Sequence, residues 1–353
     1  MGVCVSKREY EILKAENKML VNEIKRMNSH IINTNNEIPP INFYDVIIYI
    51  ESIKNIINGW KIEYNSKFAG KYEEFAKDKV LKIGVIGNSN KGKSFILSKI
   101  SNFNLPSGTS IKTQGLSIKY PELEKYPNKK IALLDSAGLE TPVLLEKEEK
   151  EEIGKKNIYN GKEKELNKNK QRNDAFKEKS RDKIITELFL QNYIINNSDI
   201  LIIVVGILSY SEQKLLNRIK IELKRTNSTK TLYVIHNLMT YTSKKQVEDY
   251  INETCLKSAT FNLENQTLIN YKENPEEEGI CFYEINTAKN SKPVIKHLFF
   301  ANEGSEAGKY YNKFTLEYII KSFDGVPNLE PFDAIKTIKE SFQNASKKNI
   351  RKN

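Results

Sequence analysis

The sequence predicts an α/β fold: a mostly parallel sheet with helices on both faces, preceded by an N-terminal coiled-coil helix. Three observations carry this expectation. Short apolar runs of strand length alternate with helix-length segments from Lys79 onward, the pattern of a largely parallel sheet covered on both sides. A glycine-rich loop, Gly87–Ser94, stands between the first of those runs and a helix-compatible segment. Residues 7–31, finally, carry a seven-residue apolar repeat.

Taken in order, Val46–Ile50 is an apolar run of buried length, Lys79–Ile86 reads as a strand, and Phe95–Ile100 as helix. Ile131–Leu134 is a second strand. Glu146–Lys183 is an almost unbroken charge run, read as a partly helical, mobile insertion. An amphipathic helix over Ile184–Ile195 follows, then a buried strand at Asp199–Val205, a helix at Ser211–Lys224 and a strand at Thr231–Ile235. Val247–Cys255, Lys309–Lys321 and Phe332–Gln343 read as helices, with the basic end Lys347–Asn353 fraying. The predicted organisation is therefore an anchor segment (1–8), a coiled-coil helix (9–32), a linker around Pro39-Pro40 (33–42), a main domain (43–323, with 146–183 inserted) and a short helical tail (324–353).

Composition narrows the class. With 353 residues, 39% hydrophobic and 29% charged, the chain can bury one large core. A formal charge of +11 favours anionic partners. Much of it is Lys in Asn-rich stretches, and in the charge run acids are interleaved and aromatics scarce, so no nucleic-acid surface is expected. Cys4, Cys255 and Cys281 are too scattered for a disulfide framework or a metal cage. No apolar run approaches the ~20 residues of a membrane span.

The N-terminus, Met1-Gly2-Val3-Cys4-Val5-Ser6-Lys7-Arg8, fits N-myristoylation at Gly2. One acyl chain binds a bilayer only marginally, and Cys4 as a palmitoylation site with Lys7-Arg8 facing anionic headgroups supplies the second signal. The expectation is a lipid anchor on the cytoplasmic face of a membrane. In residues 7–31, Tyr10, Asn17, Ile24 and Ile31 fill one seam position and Leu13, Leu20 and Met27 the other. Such a stripe buries against another like it, in a homodimer, or against its own domain.

The loop Gly87-Asn88-Ser89-Asn90-Lys91-Gly92-Lys93-Ser94 is GxxxxGKS in full, in the strand–loop–helix context that motif requires. Its backbone N–H groups and the following helix start, through Phe95, form an anion cradle. Lys93 is placed to reach the β- and γ-phosphates and Ser94 to ligate Mg²⁺. Thr113 lies 20 residues beyond Lys93, and Asp135, which opens Asp135-Ser136-Ala137-Gly138, lies 42 beyond it. Small GTPases space their switch threonine and DxxG aspartate in nearly this way. A hard Mg²⁺ takes oxygen from Ser94 and Thr113, with Asp135 behind a water, while Gly138 offers an N–H to the γ-phosphate.

Lys91-Gly92-Lys93-Ser94-Phe95-Ile96-Leu97 together with Thr113-Gln114-Gly115-Leu116 resembles the P-loop and first switch of guanylate-binding proteins and atlastins, large GTPases of the dynamin superfamily. The resemblance covers roughly Val80–Phe323. It implies a mixed α/β G domain, Mg²⁺–GTP, and hydrolysis coupled to G-domain dimerisation. That family often has a catalytic arginine where this chain has Asn90, and Leu139 stands where small GTPases carry a water-orienting glutamine. The catalytic candidates are thus Lys93, Ser89, Asn90 and Thr113.

Base recognition is sketched by His236-Asn237-Leu238-Met239-Thr240, which resembles NKxD with Asn237 in place and Thr240 replacing the aspartate. Phe282–Lys289 resembles the last GTPase motif, with the Ala288 N–H facing guanine O6. The predicted function is a membrane-anchored, Mg²⁺-dependent GTP hydrolase. An ATPase using the same loop and a non-hydrolysing membrane scaffold are the alternatives.

Overall fold

Apolar strand runs and well-capped helices give the following order in the computed structural model: β1 (Val46–Tyr49), β2 (Lys61–Tyr64), α1 (Tyr72–Phe75), β3 (Lys79–Ile86), α2 (Lys93–Ser101), β4 (Leu116–Lys119), β5 (Ile131–Ser136), α3 (Glu163–Asn197), β6 (Ile200–Val205), α4 (Tyr210–Arg225), β7 (Leu232–Leu238), α5 (Lys244–Tyr250), β8 (Gln266–Tyr271), β9 (Cys281–Asn286), β10 (Ile295–Ala301), α6 (Glu306–Lys321), β11 (Glu330–Pro331) and α7 (Ala334–Ile350). A π-helical turn, Ile251–Cys255, extends α5. The structure describes residues 41, 43–53, 59–103, 105, 115–138, 163–226, 228, 230–258, 266–271, 281–286, 295–326 and 328–350. The acylation pattern at Gly2 and Cys4, the heptads of residues 7–31, Thr113, Leu139 and Ala288 lie outside them.

The sheet runs β2-β1-β4-β5-β3-β6-β7-β10-β9-β8. Its centre, β5-β3-β6-β7-β10, is parallel, whereas β4, β1 and β2 on one flank and β9 and β8 on the other pair antiparallel. The alternating pattern accounts for the parallel centre. The antiparallel flanks are additions it does not announce, because an antiparallel partner needs no crossover helix.

Alternation along the central strands separates two cores. Leu201, Ile203 and Val205 of β6 face one, with Tyr193 and Ile194 of α3, Leu216 and Ile219 of α4 and Ile338 of α7. Ile200, Ile202 and Val204 face the other, with Ile96 and Ile100 of α2 and Phe314 and Tyr318 of α6. Burial on both faces is why β3, β5 and β6 read as continuous apolar runs.

Two elements differ from expectation. The helix expected over Ile184–Ile195 begins at Glu163, so residues 163–183 of the charge run join it as one 35-residue helix. Lys, Glu, Arg and Gln are good helix formers, and the pairs Asp174–Lys177 and Lys183–Glu187 sit at helical spacing. The segment beyond 323 also joins the main body: β11 pairs with β3, and Tyr193 hydrogen-bonds Thr337 across 2.8 Å. Among the described residues no helix is long and apolar enough to cross a membrane.

Gly84 lets the end of α3 close onto β3. A Cβ there would lie 2.0 Å from Ser198 Oγ and 2.4 Å from Ile194 Cγ2. Gly84→Ala should therefore lower stability by about 1–3 kcal/mol through overpacking. Urea unfolding of the two proteins checks this; an unchanged midpoint would show that the helix end yields freely.

Candidate functional site

At the C-terminal end of β3 the chain turns sharply into the loop Gly87–Ser94 and enters α2 at Lys93. Two residues of the turn have positive φ: Asn90 (60°) and Gly92 (86°). Asn tolerates this region, and at 92 only glycine also fits, because a Cβ would lie 2.3 Å from Asn237 Nδ2. Gly87 is pressed equally close, 2.4 Å from the Val204 carbonyl oxygen to the position of a Cβ.

Within this turn Asn88 and Lys93 are buried, Ser89 and Ser94 half-buried and Asn90 exposed. Lys93 Nζ donates to the Asn88 carbonyl at 3.3 Å. Burial pushes the Lys93 ammonium below the ordinary lysine range, and the nearby Asp135 carboxylate opposes that shift. A desolvated cation with a distant carbonyl partner, at a helix start, suits an incoming anion. Phe95 contributes a ring to the core edge, edge-on to Phe300 at 5.6 Å, besides its place in the first turn of α2.

Beneath the loop, Ser94 Oγ donates to Asp135 Oδ2 at 2.7 Å, and Asp135 is fully buried at the end of β5. Three residues on, Gly138 lies against the loop, where a Cβ would be 2.5 Å from Ser89 Cα and 3.0 Å from Lys93 Nζ. The sequence-predicted set Lys93, Ser94, Asp135 and Gly138 thus converges. A serine hydroxyl beside a carboxylate is a hard-oxygen donor set, the chemistry that suits Mg²⁺.

Asn237 is the penultimate residue of β7, and its Nδ2 donates to the Lys91 carbonyl at 2.9 Å, while its Oδ1 is buried with no partner among the described residues. Thr240 is exposed. His236 is fully buried and its imidazole is held well below the usual histidine range, by burial and by the neighbouring His297. It is a neutral packed residue, with Nδ1 2.9 Å from the Tyr250 hydroxyl and Nε2 3.1 Å from His297 Nδ1.

The geometry fits the family matches. Residues 82–238 match the family described as 50S ribosome-binding GTPase, a span that runs from β3 to the end of β7 and includes every converging residue above. The chain carries a P-loop GTPase domain over this span. A heat shock protein of Dictyostelium discoideum is 26% identical over 339 residues; the match takes in 89% of this chain but only 44% of that relative's length. Two solved GTPase structures are looser likenesses. Era in complex with MgGDPNP and part of 16S ribosomal RNA has TM-score 0.37 and 15% identity, over 72% of this chain and 59% of its own. An Aquifex aeolicus Era variant bound to GDP and AlF4⁻ has TM-score 0.36 and 15% identity, over 73% and 60%. The GTPase domain is common ground with the resemblance to guanylate-binding proteins and atlastins, and these matches do not confirm that branch.

Two contacts around the GTPase site escaped the motif reading. Lys91 Nζ pairs with Glu212 Oε1 at 2.7 Å, although Glu212 belongs to α4 and is fully buried. A readable signal existed: Ser209-x-x-Glu212 is a capping box, and Ser209 N–H donates to Glu212 at 2.9 Å. The second contact is Tyr44, whose hydroxyl donates to Asp135 Oδ2 at 2.7 Å. No motif marks that tyrosine.

Burial alone would raise the Glu212 carboxyl, but the Lys91 ammonium and the Ser209 hydroxyl and N–H outweigh it and hold the group below its ordinary 4.5. A depressed carboxyl stabilises the fold above the unfolded value and loses that effect as pH falls through the folded one. Glu212→Gln should cost about 1–3 kcal/mol near neutral pH, as the loss of a charged hydrogen bond. The gap between mutant and wild type should close below pH 4.5. Chemical denaturation across pH checks this, and a gap that persists in acid would refute the ion-pair account.

Proposed function

We propose that this protein is a membrane-anchored, Mg²⁺-dependent GTP hydrolase whose turnover rises when two copies meet. The observation that carries the chemistry is the convergence of Lys93, Ser94 and Asp135 beneath one loop, with Ser94 Oγ 2.7 Å from the buried carboxylate. In this reading the N–H groups of Gly87–Phe95 bind the phosphates and Lys93 bridges β and γ. Ser94 and Thr113 are metal ligands, with Asp135 behind a water. A metal held there would supply charge neutralisation at the triphosphate. Gly138 donates its N–H to the γ-phosphate, and Ser89 and Asn90 orient the attacking water. Asn237 and the Ala288 N–H face the guanine, with Thr240 in place of the usual aspartate.

Membrane attachment rests on Gly2, Cys4 and Lys7-Arg8, and dimerisation on the heptads of residues 7–31 together with the resemblance at Lys91–Leu97 and Thr113–Leu116. Asn90 and Leu139 motivate the dimer: neither supplies the usual charge-stabilising or water-orienting group, and a group donated across an interface contributes about 10³–10⁵-fold in other GTPases. Tethering raises the effective concentration of one domain for another.

Lys93→Ala should retain the fold, since a buried cation is itself unfavourable, and lose about 3 kcal/mol of GTP affinity, two charged hydrogen bonds at the low end of their range. Calorimetric titration with GTP, and with ATP alongside, measures it; unaltered GTP affinity in the variant would sink the assignment. A second series addresses the anchor and the dimer. Gly2→Ala should move the protein from membranes to the soluble fraction. Leu13→Lys with Leu20→Lys should lower turnover per molecule at low concentration and recover it at high concentration. Full pelleting of Gly2→Ala, or turnover independent of concentration in both proteins, would remove the corresponding part of the proposal.

A further inference from the structure

Asp135 is fully buried, and a buried carboxylate needs donors. One is Ser94 Oγ, which the loop motif anticipates. Another is the Tyr44 hydroxyl, at the same 2.7 Å from the same Oδ2 oxygen, although Tyr44 lies 91 residues away, two positions ahead of β1. A phenol donates one proton and an ionised carboxylate only accepts, so the direction of this bond is fixed.

The tyrosine is held from several sides. It is 1% exposed, in the core that also holds Ile47, Leu81, Ile83 and Leu133. Its neighbour Asp45 accepts from Tyr120 N–H at 2.7 Å and pairs with Lys119 Nζ at 2.9 Å, while Asp45 N–H donates to the Ile118 carbonyl. These contacts fasten the start of β1 to the end of β4, the strand that runs beside Asp135 in the register Ser117↔Asp135. The phenol therefore reaches the carboxylate from a frame independent of the glycine loop. Ser94 approaches from the loop side, with its O–H donated to Asp135.

We infer that Tyr44 is a positioning residue for the metal site: its hydroxyl fixes the Asp135 carboxylate so that the cation-facing side keeps its orientation whether or not Ser94 is engaged. The inference rests on the reading of Asp135 as the water-mediated Mg²⁺ partner. It gives the antiparallel flank β1–β2 a task beyond widening the sheet, since that flank carries the residue that locks the carboxylate. Outer partners of a metal ligand set typically change metal affinity about 10–100-fold. Tyr44 acts through a carboxylate that itself acts through water, so about tenfold is expected.

The test uses the whole 353-residue chain loaded with a fluorescent GDP, measuring release rate against Mg²⁺ concentration for wild type and Tyr44→Phe. The phenylalanine keeps the ring in the core and removes only the donor. The expected result is about a tenfold rise in the Mg²⁺ concentration that half-maximally slows release, with nucleotide affinity in EDTA unchanged. Wild-type release insensitive to Mg²⁺ would overturn the metal reading of Asp135. A wild-type response that Tyr44→Phe reproduces would overturn the role of Tyr44 alone. Equal loss of thermal stability and of EDTA affinity, with no shift in Mg²⁺ dependence, would assign Tyr44 to packing and also overturn it. If Tyr44→Phe does not fold, Asp45→Asn loosens the same segment without touching the phenol. A smaller shift in the same direction supports the inference, and an unchanged Mg²⁺ dependence refutes it.

Discussion

The carboxylate of Asp135 is fully enclosed and set at the end of a central strand, and the architecture around it supplies it with donors. A buried charge is tolerated only when hydrogen-bonded. The donors come from separate stretches of chain, Ser94 in the first turn of α2 and Tyr44 ahead of β1, while the Lys93 ammonium lies close enough to feel the same charge. Each can reach it only if β5 lies between β3 and β4, which is the order observed. Sheet order and site chemistry are in this sense one constraint.

A second set of contacts grips the loop from its other side. Lys91 is held twice, by its carbonyl through Asn237 and by its ammonium through Glu212. These partners sit at the end of β7 and in the first turn of α4, so the loop is clasped between two neighbouring crossover units. The consequence is preorganisation. Phosphate binding requires N–H groups already aimed inward, and a loop with positive φ at Asn90 and Gly92 holds that shape only when its surroundings enforce it.

Behind Asn237 the enforcement continues as a polar chain in the core. His236 is neutral, stacked on Phe299 with ring centres 5.0 Å apart, and linked to His297 and Tyr250; the Tyr250 hydroxyl in turn accepts from Leu208 N–H at 3.0 Å. Leu208 belongs to the turn that leads into the Ser209–Glu212 capping box, so this chain ties the β7 end to the helix start that holds Lys91. Networks of this kind are rigid when every member is satisfied.

The sequence by itself determined the local elements and the phosphate chemistry. GxxxxGKS with a strand before it and a helix after it marks Gly87–Ser94 because both the turn and the anion cradle are formed by adjacent residues. Continuous apolar runs marked β3, β5 and β6, since strands buried on both faces leave no room for polar alternation. The Asp135–Gly138 motif was legible for the same reason, as a strand end with a fixed local pattern. Only the tertiary structure decided which distant groups meet these residues. Tyr44, Glu212 and the antiparallel flanks have no short-range signature that names their partners, because their contacts span 91 and 121 positions in the chain and depend on the order in which strands assemble. Local propensity and short motifs encode what neighbours in sequence can do. Which carboxylate a tyrosine reaches is settled by the packing of the whole sheet.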